Sequence, residues 1–211
     1  MKIAQGSSSS SDFKLAGGSL VLAAGLWIVI FLVRPFDFWV MLASSTLVLS
    51  TIAVLISRNK LSVRASVKLI LYGAVTAVLM YGLFYFGYQV TKSSPVFSQG
   101  VNQVYGLRSN EPSWLIAALL ILPIAPGEEL YWRGLIQRAF SDRNGAYMGL
   151  IGASLAYALV HVPTFNLPLV LTAFIGGLVW GWLYKVTNSL TPGIVSHVLW
   201  DLMIFVLVPL H

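Results

Sequence analysis

The sequence predicts an all-α protein, a polytopic helical bundle with about seven transmembrane spans. Hydrophobic residues make up 57% of the chain and charged residues 9%, with a mean hydropathy of +0.82, whereas soluble domains average about 25% charged residues. Several apolar stretches reach the roughly 18 to 20 residues that a helix needs to cross a bilayer. They lack the alternating polarity of a transmembrane β-strand.

Seven apolar segments are predicted to be spans. They are 15–33, 38–56, 69–90, 114–140, 146–162, 167–186 and 190–210. The fourth segment contains Pro126-Gly127, so an eighth span results if it divides there. Residues 91–113 are rich in Ser, Asn, Gln and Gly, and we expect a plain connecting loop there, with a cap over the bundle as the alternative.

The N-terminal residues 1–14 are polar and include a run of five serines. We predict a disordered tail, followed by a retained first span, because no small-residue cleavage site ends the apolar segment. No linker divides the remainder, so residues 15–211 are predicted to form a single integral membrane domain. The chain has no cysteine, which excludes disulfides, thiolate metal ligands and thiol catalysis.

The net charge of +6 is interpreted through membrane topology. With the N-terminus inside, one face receives Lys2, Lys14, Arg58, Lys60, Arg64, Lys68, Arg133, Arg138, Arg143 and Lys185, and the other receives Arg34, Lys92 and Arg108. Ten basic residues on one side against three on the other follow the positive-inside rule. We therefore expect a cytoplasmic N-terminus in the plasma membrane of a prokaryote, and no nucleic-acid partner because the basic residues are dispersed.

Small and aromatic residues in the sixth segment indicate helix packing and an interface. Gly177 and Gly181 are spaced four apart, which lets helix backbones approach closely in lipid. Trp180, Trp182 and Tyr184 follow near the predicted cytoplasmic end, where aromatic rings favour the membrane interface. Both features are interpreted as structural.

Polar residues recur four apart, on one helical face, in three of the apolar segments. These pairs are Glu129 with Arg133, Tyr157 with His161, and His197 with Asp201. An ionisable side chain in a bilayer costs at least about 2.5 kcal/mol, so such residues are usually paired and functional. One such pair is more simply a structural tie between helices, but three pairs on three segments favour a chemical site.

The two adjacent glutamates are expected to divide their roles. Glu128 is rotated by about 100° from Glu129 on a helix, so Glu129 is predicted to pair with Arg133 and Glu128 to face a cavity. A carboxylate and a histidine in low-dielectric surroundings suit the activation of water, with His161 as its second contact. His197 and Asp201 would orient a donor toward an oxyanion. The pattern indicates hydrolysis of an amide or ester within the membrane.

These motifs resemble the CPBP (Abi) family of intramembrane endopeptidases, which are related to the type II CAAX prenyl proteases. The chain has two glutamates with Arg133 four residues beyond the second, an aromatic residue and His161, and then His197-Val-Leu-Trp-Asp201. The resemblance covers roughly the C-terminal half, with a protease-like core at about 114–205. Tyr157 replaces the phenylalanine of the family pattern, and its added hydroxyl needs a partner.

The resemblance implies a catalytic set in which each residue has a role. Glu128 would activate water, supported by Glu129 and Arg133, and His161 would contact water or metal. His197 with Asp201 would stabilise the oxyanion. The substrate would be a membrane-associated or lipidated peptide or protein, reached among membrane lipids.

Metal dependence and the direction of access are further expectations. We expect no obligatory cofactor. If a divalent ion such as zinc is present, its three protein ligands would be Glu128, His161 and His197. The H-E-x-x-H pattern of many zinc proteases is missing. The cavity is expected to open toward the cytoplasmic side. His211, at the C-terminus, is expected to be solvated.

Two other classes of function are compatible with part of the pattern. A proton-coupled transporter would also use buried Glu, His and Arg beside a broken helix, but no inverted repeat is evident. A non-catalytic membrane scaffold would keep a peptidase-like pocket to bind lipidated peptide.

Overall fold

The computed structural model of the protein describes residues 3–57, 60–108 and 111–210, with side chains from Ser11 onward. Eight helices make up this part of the chain, and no β-strand occurs within it. They are α1 (Ile3–Ile28, extended by a π-helical turn at Val29–Val33), α2 (Phe38–Ser57), α3 (Val67–Thr91), α4 (Pro95–Gly106), α5 (Ser113–Asn144), α6 (Ala146–Leu159, followed by a 3₁₀ turn at Val162–Thr164), α7 (Leu167–Thr187) and α8 (Thr191–Leu202, extended by a π-helical turn at Met203–Leu207). His211 lies outside the described residues.

The predicted polytopic helical bundle is confirmed. Among the described residues, six helices are long and apolar enough to cross a membrane, namely α1, α2, α3, α5, α6 and α7, and α8 is a shorter apolar helix. Each coincides with one predicted span to within a few residues. Their outward faces carry exposed apolar side chains, such as Val75, Val78 and Leu79 on α3, as lipid contact requires.

The expectation of a plain loop at 91–113 is wrong, because α4 occupies Pro95–Gly106. Pro95 lies at the start of this helix, where its missing N–H leaves no hydrogen bond unmade. The helix packs against α7 and α3. The alternative of a cap over one end of the bundle therefore describes this segment better.

The N-terminal tail predicted for residues 1–14 is also different in the structure, since α1 begins at Ile3. Serine lowers helix propensity only slightly, and the end of this segment is anchored by side chains. Asp12 forms ion pairs with Lys60 (2.8 Å) and Arg138 (3.5 Å). Phe13 packs on Phe140 with ring centroids 5.5 Å apart.

Close packing of small residues joins the helices around the centre of the bundle. A Cβ at Gly177 would lie 3.0 Å from the Ser154 backbone of α6, and one at Gly181 would meet Gln137 of α5 at 2.8 Å. The predicted packing role of Gly177 and Gly181 is confirmed. A Cβ at Gly73 of α3 would similarly lie 2.7 Å from the Pro192 carbonyl oxygen of α8.

Helix α5 is broken one turn earlier than predicted. Leu122 has φ −153° and ψ 117°, because the residue before a proline avoids the α region and Pro123 follows it. Pro126 instead lies in the first turn of the arm that begins at Ala125. The interruption predicted at Pro126-Gly127 is therefore corrected, and α5 is one kinked helix rather than two spans. Glu128 lies in the first turn of its second arm.

Candidate active site

Three helices bring the predicted site residues together in the middle of the bundle. Helix α5 supplies Glu128, Glu129 and Arg133, α6 leads to Tyr157 and His161, and α8 supplies His197 and Asp201. All of them are buried. Charged groups that are removed from water need partners at close range, and the hydrogen bonds and ion pairs of this cluster supply most of them.

Glu129 and Arg133 form a fully buried brace between α5 and α8. Glu129 is 0% exposed, and its Oε1 lies 3.2 Å from Arg133 Nη1 and 3.1 Å from His197 Nδ1. Arg133 Nη2 donates to the carbonyl oxygens of Gly176 (3.2 Å) and Gly177 (3.5 Å) on α7. This arrangement ties three helices to one ion pair.

The backbone of this part of α5 is π-helical from Leu130 to Gln137. Such turns are rare and often occur at functional sites. The Arg133 guanidinium lies 5.3 Å from the ring centroid of Tyr157 and 5.4 Å from that of Trp180. It is therefore held between two aromatic faces as well as by Glu129.

Glu128 has different surroundings, because its carboxylate lines a cavity. Its Oε2 accepts a hydrogen bond of 2.5 Å from the Tyr157 hydroxyl. This partner accounts for the hydroxyl that distinguishes Tyr157 from the family phenylalanine. The predicted division, in which Glu129 pairs with Arg133 and Glu128 faces a cavity, agrees with this geometry.

His161 is enclosed by protein groups on both ring nitrogens. Trp27 Nε1 of α1 donates to His161 Nε2 at 3.0 Å, and His161 Nδ1 lies 2.8 Å from the Tyr157 carbonyl oxygen. An indole N–H can only donate, so Nε2 is the acceptor and Nδ1 carries the proton. In this arrangement the lone pair that would hold water or metal is already engaged, which corrects the expected direct contact of His161 with the catalytic water.

His197 lies between the brace and the cavity. Its Nδ1 faces Glu129, its Nε2 lies 3.6 Å from Asp201 Oδ2, and the ring lines the cavity. Trp180 stacks on this imidazole, with ring centroids 3.8 Å apart and planes 17° apart. Trp180 is 2% exposed, so its predicted position at the membrane interface is wrong.

Sequence reasoning did not identify four residues that shape the site. They are Trp27, Trp180, Gly193 and Trp200. A Cβ at Gly193 would lie 2.7 Å from Glu129 Oε2, so only glycine lets α8 approach the brace this closely. Trp200 lines the cavity, and its indole N–H has no hydrogen-bond partner among the described residues. In a single sequence, a tryptophan that lines a functional site cannot be distinguished from one that only packs in an apolar span.

The proposed metal ligands do not form a metal-binding group. Across the described part of the chain, no three His, Asp or Glu side chains are close enough together to hold an ion. The Nε2 of His161 accepts from Trp27, and His197 Nδ1 faces Glu129. Glu128, His161 and His197 therefore do not fit a zinc site in this arrangement, and the absence of an obligatory cofactor stays a prediction.

The cavity beside Glu128 has a volume of about 340 Å³ and mostly aromatic and aliphatic walls. Its polar lining includes Glu128, Tyr157, His161, His197 and Asp201. It extends toward α4 and the end of α1, which is the end of the bundle opposite the N-terminus. If the N-terminus is cytoplasmic, as the positive-inside rule predicts, this position is at odds with the expected opening toward the cytoplasmic side.

Comparison with known proteins identifies the region that contains this site. Residues 109–203 match the family described as type II CAAX prenyl endopeptidase Rce1-like. No curated protein and no solved structure matches the chain. The matched region begins just before α5 and includes all seven residues of the cluster, from Glu128 to Asp201. At the level of the family, it indicates an intramembrane endopeptidase of the CAAX-protease type. With its several apolar helices, the chain is an integral multi-pass membrane protein, and its residues 109–203 are similar to the Rce1-like type II CAAX prenyl endopeptidases.

Proposed function

We propose that the protein hydrolyses a peptide bond of a membrane-associated or lipidated substrate with water activated by Glu128. The observation that carries this proposal is the contrast between the two glutamates. Glu129 is occupied by Arg133 and His197, whereas Glu128 lines a cavity that also contains His197 and Asp201. A carboxylate beside a cavity within hydrogen-bond reach of a substrate is the geometry that a general base needs.

In the proposed reaction, Glu128 accepts a proton from water as the water oxygen bonds to the substrate carbonyl carbon. The tetrahedral intermediate then collapses, the C–N bond breaks, and Glu128 returns the proton to the leaving amine. The Tyr157 hydroxyl fixes the carboxylate during both transfers. All bonds and protons balance with water as the only co-reactant.

His197 is the proposed donor to the oxyanion. The Glu129 carboxylate, 3.1 Å from Nδ1, orients the ring, whereas Nε2 lies 3.6 Å from Asp201 Oδ2, beyond hydrogen-bond distance. An N–H on Nε2 can therefore donate to the oxyanion. The unpaired N–H of Trp200 lines the same cavity and is a second candidate donor. Donors that are fixed in a water-poor site stabilise developing charge without reorganisation, and one is typically worth about 3 to 4 kcal/mol.

The proposal also includes the substrate, the partners and the membrane in which the protein acts. The substrate would be a membrane-associated peptide or protein among membrane lipids, because the cavity walls are apolar and the helices lie in a bilayer. We propose no nucleic-acid partner and no obligatory metal. The cell membrane of a prokaryote, with a cytoplasmic N-terminus, is the proposed location.

The isosteric substitution Glu128→Gln tests this function in reconstituted membranes. The amide keeps an acceptor for Tyr157 but cannot take a proton, so we expect proteolysis of quenched apolar peptides to fall by about 10²- to 10⁴-fold, the usual contribution of a general base. Glu111→Gln is the matched control, because Glu111 lies outside the cluster. We expect a chelator to leave the rate of proteolysis unchanged. A loss of proteolysis on chelation that added zinc restores would contradict the metal-free mechanism.

Other outcomes separate the alternative functions. Binding of the peptides without cleavage by the parent protein would favour a scaffold. Ion flux into liposomes that depends on Glu128, without hydrolysis, would favour a carrier. Full proteolytic activity in Glu128→Gln would remove the proposed mechanism.

A further inference from the structure

We propose that the site receives its substrate from the non-cytoplasmic face of the membrane, and that this substrate is an apolar segment of a membrane-anchored protein near that face. The inference rests on the proposed function and adds the side of approach and the substrate class to it. Three observations carry it: the position of the cavity, the closure of the opposite end, and the distribution of basic residues.

The cavity occupies one half of the bundle. Its walls include Phe31 near the end of α1, Phe38 at the start of α2, Tyr88 near the end of α3 and Leu169 near the start of α7, together with one face of α4. These positions all lie at the end of the bundle where α1 finishes. From there the cavity reaches inward to Glu128. A substrate that enters at this end meets the proposed base directly.

The loop before α3 closes the opposite end of the bundle. Leu190 N–H donates to the Ser62 carbonyl oxygen at 2.8 Å, and Arg64 N–H donates to Thr191 Oγ1 at 2.9 Å. The Thr191 hydroxyl in turn donates to the Arg64 carbonyl oxygen at 2.9 Å. The Leu61 side chain reaches the position that a Cβ on Gly134 would occupy. The chain itself therefore fills the space beneath the brace.

Arg138 strengthens this closure beside α5. Its guanidinium donates to Ser57 Oγ at 2.7 Å and to Asp142 Oδ2 at 3.0 Å, and contacts Asp12 at 3.5 Å. Gln137 also donates to the Gly181 carbonyl oxygen at 2.8 Å. Four helices are thereby fastened together at the end of the bundle opposite the cavity beside Glu128.

The basic residues assign these two ends to the two faces of the membrane. Arg133 is buried in the brace, which leaves nine of the ten basic residues that the sequence assigns to the closed side, against three on the cavity side. The positive-inside rule places the richer side in the cytoplasm. The cavity therefore opens on the non-cytoplasmic side.

The cavity also reaches the lipid-facing surface between α3 and α7. Leu83 of α3 and Leu171 of α7 line it and are 52% and 39% exposed. Both helices flank α8, which forms the wall between them. An apolar segment in the outer part of the bilayer can thus reach the cavity without passing through water.

Helix α4 lies across the outer end of this opening. Asn166 Nδ2 donates to the Gly100 carbonyl oxygen at 2.8 Å, and the Tyr105 hydroxyl donates to the Ile204 carbonyl oxygen at 3.2 Å. Burial raises the pKa of the Tyr105 phenol, so it stays a donor at neutral pH. These contacts hold α4 against α7 and α8.

The chemistry of the walls favours an apolar peptide over a charged one. A cavity of about 340 Å³ is at the small end of the roughly 300 to 1,000 Å³ range of ligand pockets, which suits a short stretch of peptide. Its charged groups belong to the catalytic cluster, so a charged substrate side chain among the remaining walls would lose water without gaining a partner.

Single cysteines test the side of access independently of activity, because the chain has no cysteine of its own. Ser93 lies at the cavity end, Ala65 at the closed end, and both are exposed. In spheroplasts, a membrane-impermeant maleimide is expected to label Ser93→Cys before permeabilisation and Ala65→Cys only afterwards. The reverse pattern would overturn the proposal.

Cleavage on each side of the membrane then tests the substrate class. The protein is reconstituted in proteoliposomes, and the same maleimide labelling reports its orientation in each preparation. A membrane-anchored test protein with an apolar segment at one face is then added. Cleavage is expected when that segment shares the face of Ser93 and is expected to be lost when it lies on the other face or carries introduced lysines. Cleavage only from the Ala65 side would contradict the inference, whereas no cleavage with the expected labelling would contradict the proposed function alone.

Discussion

Glu128 and Glu129 are neighbours in the sequence, yet they belong to two differently built regions of the molecule. Glu129 lies in a region where the charges are paired with each other, with Arg133 and His197 at one of its oxygen atoms. Glu128 faces a cavity and has one hydrogen-bond partner among the described side chains, Tyr157. The rotation of about 100° between successive helical residues separates a structural carboxylate from one that is available for chemistry.

This comparison predicts that removing Glu129 has the largest effect on stability. Glu129→Ala leaves the Arg133 guanidinium buried without its counter-charge, and breaking a buried ion pair from one side costs about 3 to 5 kcal/mol. We expect a large fall in unfolding temperature in detergent, together with loss of proteolysis. Glu111→Ala serves as the control, and unchanged thermal unfolding of Glu129→Ala would show that Glu129 is not a brace.

A smaller steric change should damage the same region. Gly193→Ala would place a methyl group 2.7 Å from Glu129 Oε2, and overpacking of this kind costs about 1 to 3 kcal/mol. We expect a lower unfolding temperature and reduced activity. Gly82→Ala on α3 is the matched control because a Cβ there meets nothing within 4 Å. Equal behaviour of the two variants would refute the close approach of α8 to the brace.

On the cavity side, Tyr157→Phe should reduce activity more than stability. It removes the hydroxyl that holds Glu128, and hydrogen bonds to charged groups contribute about 1.5 to 3 kcal/mol. We expect a fall in kcat of roughly tenfold or more, with little change in KM. Phenylalanine is the residue of the family pattern, so an unchanged kcat would show that the ring alone is needed here.

The smallest expected effect is that of Trp27→Phe. The substitution keeps an aromatic ring but removes the donor to His161 Nε2, and a single neutral hydrogen bond contributes about 0.5 to 1.5 kcal/mol net. We expect a modest loss of stability and a smaller loss of activity than in Tyr157→Phe. Higher activity in this variant would mean that Trp27 blocks His161 from a direct role in catalysis.

Much of this architecture follows from local rules that a sequence expresses directly. Helical periodicity of 3.6 residues places Glu129 with Arg133 and His197 with Asp201, and both pairs are present at 3.2 and 3.6 Å. The lengths of the apolar segments identified the spans. The spacing of Gly177 and Gly181 identified a close helix contact.

The remaining features depend on partners that are distant in the sequence. Trp27 and His161 are 134 residues apart, and nothing in the first span marks that tryptophan as a partner for the site. The break in α5 was predicted at Pro126-Gly127 and lies instead at Leu122, directly before Pro123. The direction of the cavity depends on which helices stay apart, here α3 and α7, and no local pattern encodes this.

The most direct measurement of the division between the two glutamates follows proteolysis and thermal unfolding in Glu128→Gln and Glu129→Gln side by side. The account predicts that Glu128→Gln unfolds at the temperature of the parent protein but does not cleave substrate, and that Glu129→Gln is impaired in both respects. Cleavage by Glu128→Gln at the parental rate, or an equal loss of stability in the two variants, would contradict it.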